Sequence, residues 1–187
     1  MKIGLVGEAP GDTGAIKNLL SRNYNNLDFI ELLQRIDGSM LDNKKAIRQV
    51  RREFEIERPD IVLVIRDLDS HEKDGKKLKE RKDTFSRLNS IVDKKAIFLL
   101  NIYELEALIL ADIQTFNKKY GCEVEQYPDP MKVADPKEVL ISASRKAGKP
   151  FDVSHNPEIF SLLNFDAVKN NCRYFALFVK QFNKVLA

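Results

Sequence analysis

The sequence predicts an α/β fold: a mostly parallel four-stranded sheet with flanking helices, joined at its C-terminal end by a helical cap. Three observations carry this. Short apolar runs alternate with longer amphipathic ones through the first two thirds of the 187 residues. The run Ile61 to Ile65 holds only β-branched and leucine residues, as a central strand covered on both faces requires. Beyond Gly121 the alternation stops and the pattern becomes helical. The expected organisation is a core of residues 1–122 with a helical extension of residues 123–187 packed on it as a single structural unit.

Strand 1 is expected over about Lys2 to Glu8. The loop Ala9-Pro10-Gly11-Asp12-Thr13-Gly14 follows, with Asp12 or Thr13 placed to cap a helix through Ile16, Leu19 and Leu20. Asp28 to Leu33 reads as a second strand. From about Asp42 to Glu57, Ile47, Val50 and Phe54 recur at steps of three and four, an amphipathic helix with Lys44, Arg48 and Arg51 together on its outer face. Pro59 ends it ahead of the strand Ile61 to Ile65. A lysine-rich stretch then enters a helix from about Lys76 to Ile91, Ala96 to Leu100 is the fourth strand, and Tyr103 to about Lys118 one apolar helix. Pro128, Pro130 and Pro136 mark residues 127–136 as an extended connection. The last helix is expected to run unbroken, because Val168, Cys172, Phe175, Val179, Phe182 and Leu186 form one apolar stripe.

Composition excludes several classes. With 43% hydrophobic and 32% charged residues and no low-complexity tract, the chain is globular rather than disordered. A formal charge of +3 is too small to indicate nucleic acid by itself. Cys122 and Cys172 lie far apart and outside any Cys-x-x-Cys pair, so neither a zinc site nor a disulfide framework is indicated, and a reducing cytoplasm fits best. The first apolar run breaks too early for a signal peptide, and no stretch reaches the ~20 apolar residues of a membrane span, so a soluble protein with no membrane partner is expected.

Acidic residues follow three of the strand runs: Glu8 after the first, Asp67 and Asp69 after Ile61 to Ile65, Glu104 and Glu106 after Ile97 to Leu100. The carboxyl ends of parallel strands open on one crevice, so these five carboxylates are expected to converge there. Such a concentration of like charge calls for a hard divalent cation, Mg2+ or Mn2+. Asp67 and Asp69, two apart in extended chain, would point the same way and could share one ion. Glu106 shares a helical face with Ile109, Leu110 and Ile113, which draws it inward, where a lone carboxylate needs a partner. The plainer alternatives are an Asp69 that caps the next helix, a solvated Asp67, and glutamates favoured in a first turn by the helix dipole. The glycine-containing loop 7–14 lacks the Gly-Lys-Ser/Thr ending of a phosphate loop, and Glu8 and Asp12 would repel an anion there. Basic residues gather at Lys44, Lys45, Arg48, Arg51 and Arg52 and again at Lys73, Lys76, Lys77, Lys79, Arg81 and Lys82. Such runs are usually solvated faces, but beside a metal site they could hold a polyanionic backbone.

A glutamate ending the first strand and an Asp-x-Asp after a later central strand resemble the TOPRIM domain of topoisomerases, primases and overcoming-lysogenization-defect nucleases. More narrowly, Ile102-Tyr-Glu104-Leu-Glu106-Ala-Leu-Ile-Leu-Ala-Asp112 is similar to the Glu-Leu-Glu-Ala-Trp-Leu-Leu-Ala-Asp segment of small stand-alone TOPRIM-like proteins of the DUF4276 type, some linked to phage defence. Asn170-Asn-Cys-Arg-Tyr-Phe-Ala-Leu-Phe178 looks like that family's C-terminal helix. The resemblance implies a TOPRIM-like, Rossmann-like sheet, Glu8 as general acid or base, and Asp67 and Asp69 as the metal pair. Two departures stand out: Ala9-Pro10 replaces the glycine usual after the first glutamate, and Leu108 the common tryptophan. The expected function is divalent-metal-dependent hydrolysis of a phosphodiester in DNA or RNA. Glu8, Asp67, Asp69 and Glu106 form the catalytic set, and Asp67, Asp69, Glu8 and Glu104 hold Mg2+ or Mn2+. Lys76, Lys77, Lys79, Lys44, Arg48 and Arg51 lie along the nucleic acid. The resemblance adds a partner ATPase or other defence-system protein. The alternatives are a non-catalytic nucleic-acid- or protein-binding module and a small phosphoester hydrolase.

Overall fold

The computed structural model describes residues 1–33, 41 and 43–187. Strands β1 (Lys2–Val6), β2 (Asp28–Glu31), β3 (Ile61–Asp67) and β4 (Ala96–Asn101) form a four-stranded sheet in the order β2-β1-β3-β4, every pair parallel. Each crossover carries a helix: α1 (Pro10–Ser21), α2 (Lys44–Glu57) and α3 (Gly75–Ile91). The α/β class with a parallel sheet is therefore as the alternation of patterns predicted.

Alternation of side chains along the strands divides the core in two. Ile3, Leu5, Ile61, Leu63, Ile65, Ile97 and Leu99 pack on one face with Ala15, Ile16 and Leu19 of α1 and with the C-terminal helices. Val6, Val62 and Val64 face the other way, against Val50 and Phe54 of α2 and Leu88 of α3. Both faces of β3 are thus covered, which is why its first six residues are all buried. At about 1.5–3 kcal/mol for each large apolar side chain taken out of water, this central strand is the main anchor of the sheet.

Beyond β4 come α4 (Ala107–Ala111), α5 (Ile113–Tyr120), α6 (Pro136–Lys146), α7 (Asn156–Leu162), α8 (Phe165–Asn171) and α9 (Arg173–Leu186). Helix α7 packs along α1 and α9 against β4. No helix among the described residues is long and apolar enough to cross a membrane.

The structure differs from the sequence reading at several element ends. Helix α1 starts at Pro10, whose fixed φ suits a first helical position, so Asp12 is a first-turn residue and not the cap. Its carboxylate reaches back to accept from the Ala9 N–H at 3.2 Å. Asp42, the expected start of the second helix, lies outside the described residues; α2 is capped by Asn43, whose Oδ1 accepts from the N–H groups of Lys45 and Ala46 at 2.9 Å each. The single helix expected after Tyr103 is two, broken at Asp112 (φ −125°, ψ 58°). The Asp112 carboxylate there accepts from Thr115 Oγ1 and from the Asn164 N–H, both at 2.7 Å. The long final helix is also two. Cys172 (φ −122°, ψ 103°) interrupts it, and its Sγ accepts from the Phe175 N–H. The apolar stripe itself is real core, since Val168, Cys172, Phe175, Val179 and Phe182 are all buried. The connection 127–136 contains a single 3-10 turn at Pro130–Lys132.

Candidate functional site

All four strands end on the same side of the sheet, and the acidic residues gather there. Just past β1, Gly7 lets the first turn of α1 approach closely: a Cβ at this position would lie 2.8 Å from Thr13 Cγ2. Glu8 follows, and its Oε1 forms an ion pair with Nε of Arg66, which is only 3% exposed in the penultimate position of β3. Asp67 closes β3. It stands in register with Asn101, the last residue of β4, and Asn101 Nδ2 donates to Asp67 Oδ1 at 3.0 Å.

Asp69 has different surroundings. The chain leaves its extended path here, with Asp69 at φ 54°, so strand alternation no longer sets its direction. Its carboxylate is ion-paired with Arg81 of α3, whose Nε also donates to the Asp67 carbonyl at 2.8 Å, and Lys77 Nζ donates to the Asp69 carbonyl at 2.8 Å. Glu106 sits at the N-cap of α4, 6% exposed, and accepts from Asn156 Nδ2 of α7 at 2.9 Å. Glu104 is engaged elsewhere, by Lys137 Nζ at 3.0 Å and the Lys137 N–H at 3.2 Å.

Burial pushes every carboxyl of the inner group upward, and acidic neighbours add to it. Asp12 is raised to about 6, first by desolvation and then by Glu106 and Glu8. Asp67 is held well above the usual carboxylate range by burial and by Asp12, Glu106 and Glu8, against the lowering effect of the Asn101 amide. Burial also raises Glu106, against the Asn156 hydrogen bond, and raises Glu8, against Arg66 and Arg81. Asp12 and Asp67 are thus raised by acidic neighbours as well as by burial, whereas the acid that acts on Glu8 is Asp69 and the one that acts on Glu106 is Glu104. The structure adds Asp12 to the predicted set. Its place just after a strand's carboxyl end is legible in the sequence, where the same position equally suits a helix cap. Among the described residues, however, no group of three or more His, Cys, Asp or Glu side chains is arranged to hold a metal ion. The acids are neighbours in charge without forming a ready cage.

The basic residues divide. Lys76, Lys79, Lys44 and Arg48 are exposed, Lys77 is tied to the Asp69 carbonyl, and Arg51 pairs with Glu55 on its own helix at 2.9 Å. Helix α3 follows β3 after a short loop, and its Lys77 and Arg81 donate to the carbonyls of Asp69 and Asp67, so its first turns lie at the carboxyl end of the sheet.

A carboxyl whose pKa rises on folding keeps its proton longer in the native state than in the unfolded one, so stability falls as pH rises between the two values. For Asp12 the interval runs from 3.8 to about 6 and is worth about 3 kcal/mol at 1.36 kcal/mol per decade. The melting temperature of chelator-treated protein is therefore expected to fall from pH 4 through pH 6, and Glu8, Asp67 and Glu106 act in the same direction. A melting temperature that rises through that interval contradicts the raised values.

A family model described as Domain of unknown function (DUF4276) matches residues 7–183. No curated protein and no solved structure matches the chain.

Proposed function

The chain belongs to the DUF4276 family, and from the acidic centre at the ends of its strands we propose a divalent-metal-dependent phosphodiesterase acting on nucleic acid. The observation that supports this most is that Glu8, Asp12, Asp67 and Glu106 are all raised by desolvation, Asp12 and Asp67 also by acidic neighbours, on a chain whose α2 and α3 carry exposed Lys44, Arg48, Lys76 and Lys79. Carboxylate oxygens are the donors that Mg2+ and Mn2+ prefer, so the residue types fit the ion. Asp67, Asp12 and Glu106 would hold it only by drawing closer together than they stand here, with Asp69 alongside once released by Arg81. A cation bound there would polarise a phosphoryl oxygen and lower the pKa of a water.

The chain's own side chains supply the rest. Glu8, partly exposed and with a raised pKa, is suited to move a proton between water and a leaving oxygen. Lys76, Lys79, Lys44 and Arg48 would bind successive backbone phosphates and set the strand across the crevice. The TOPRIM-like character of the site is part of the same proposal. Two free thiols, Cys122 and Cys172, fit a cytoplasmic protein.

The absence of a ready metal cage among the described residues favours one other reading, a non-catalytic module that binds nucleic acid or protein through the same basic residues. A panel of labelled single- and double-stranded DNA and RNA, incubated with Mn2+ and with chelator, separates them. The phosphodiesterase cuts at least one substrate only when metal is present, and a binding module leaves every substrate intact. Turnover of a chromogenic phosphodiester without cleavage of any nucleic acid would move the assignment to a small phosphoester hydrolase.

A further inference from the structure

We infer that Asn156, carried by the C-terminal extension, is a positioning residue of the acidic centre: it aims the Glu106 carboxylate toward the cation, so that the extension completes the site. The inference rests on the metal-binding reading of that centre. Asn156 opens α7 and is 3% exposed, and its Nδ2 donates to Glu106 Oε1 at 2.9 Å with both groups buried. An amide N–H gives its strongest bond to an ionised carboxylate, so the contact favours the form of Glu106 that a cation needs.

The other half of the same amide is the informative part. Asn156 Oδ1 is buried with no hydrogen-bond partner among the described residues. A side chain placed only to pin α7 onto α4 would be expected to satisfy both ends, because a buried orphan acceptor works against stability. Asn101 repeats the arrangement from a different part of the chain: its Nδ2 donates to Asp67, and its Oδ1 is buried without a partner among the described residues. Two asparagines, one at the end of β4 and one at the start of α7, thus treat two mutually interacting carboxylates alike. Helix α7 packs along the length of α1, and the bond from Asn18 Nδ2 to the Pro157 carbonyl at 2.7 Å is one contact of that broad interface, separate from the Asn156–Glu106 bond.

The test is the Mn2+ affinity of the full chain by titration calorimetry, with the melting temperature of metal-free protein measured alongside. Asn156→Leu removes the donor and the orphan acceptor at similar volume, Asn156→Ala removes both with less steric demand, and Asn18→Ala breaks the neighbouring α1–α7 bond without touching a carboxylate. Both Asn156 variants are expected to bind Mn2+ about 10- to 100-fold more weakly, with Asn18→Ala binding like wild type. Wild-type affinity in the Asn156 variants, equal weakening in Asn18→Ala, or loss of the fold in both Asn156 variants would each assign Asn156 to the scaffold and overturn the inference. Failure of the wild type itself to bind Mn2+ is a different outcome, and it removes the metal-binding reading first.

Discussion

Asp67→Asn is expected to remove metal-dependent cleavage by roughly 10³-fold while leaving the metal-free protein at least as stable as wild type. The loss follows from the several kcal/mol of transition-state charge stabilisation that a metal centre supplies, at 1.36 kcal/mol per factor of ten. The stability follows from where the side chain sits. Asp67 ends β3 in a partly buried position that resists ionisation, in the fields of Asp12, Glu106 and Glu8. Asparagine has the same shape, its Oδ1 can still accept from Asn101 Nδ2, and it carries no charge to desolvate. Single-turnover cleavage of a labelled oligonucleotide gives the rate, and thermal denaturation at pH 8 with chelator gives the stability. A variant that still cuts at the wild-type rate would take Asp67 out of the reacting centre. A variant that is markedly less stable would mean the aspartate is needed by the fold.

Arg66→Met should have the largest effect on stability, a loss of about 3 kcal/mol or more. Arg66 is buried in β3 and is the cation that meets Glu8, the one acid of the inner group with an ion-pair partner in the sheet. Methionine keeps most of the apolar stem and removes only the guanidinium. Glu8 is then left beside Asp12 and Asp67 with less positive charge to offset it, and truncating one side of such a pair costs far more than the pair contributes. For a chain of 187 residues the melting temperature should fall by about 6–12 °C. Adding Glu8→Gln should restore part of the loss, and a double-mutant cycle isolates the coupling. Purely additive effects of the two substitutions would show that the pair carries no stability.

The parallel sheet was legible because its signals are local. Ile61 to Ile65 has the length and the β-branched and leucine content expected of a doubly covered strand, and the amphipathic stretches between runs leave little choice of connection. The helix breaks at Asp112 and Cys172 were hidden because the apolar stripes continue across them, while the bond that stops one of them comes from Asn164, 52 residues away. The site divided in the same way. Charged residues at strand ends were visible, so Glu8, Asp67 and Glu106 could be named. Asp69 and Glu104 were expected beside them, yet each has an ion-pair partner reachable only through the fold: Arg81 on the next helix and Lys137 on α6. Asn101 and Asn156 carry no charge and follow no period. Only the pairing of Asp67 with Asn101 across two strands, and the seating of α7 on α1, reveals what they touch.

The loops after β3 and β4 are sewn together beyond the ends of their strands. The Leu68 N–H donates to the Asn101 carbonyl at 2.8 Å, the Asp69 N–H to the Tyr103 carbonyl at 2.9 Å, and the Tyr103 N–H to the Ser70 carbonyl at 3.2 Å. Opposite them, the main chain of the turn after β1 bonds to itself, from Asp12 and Thr13 back to Ala9. Beyond the sheet the β3 and β4 loops are therefore tied to each other, and the turn after β1 is tied to β3 through the Glu8–Arg66 pair.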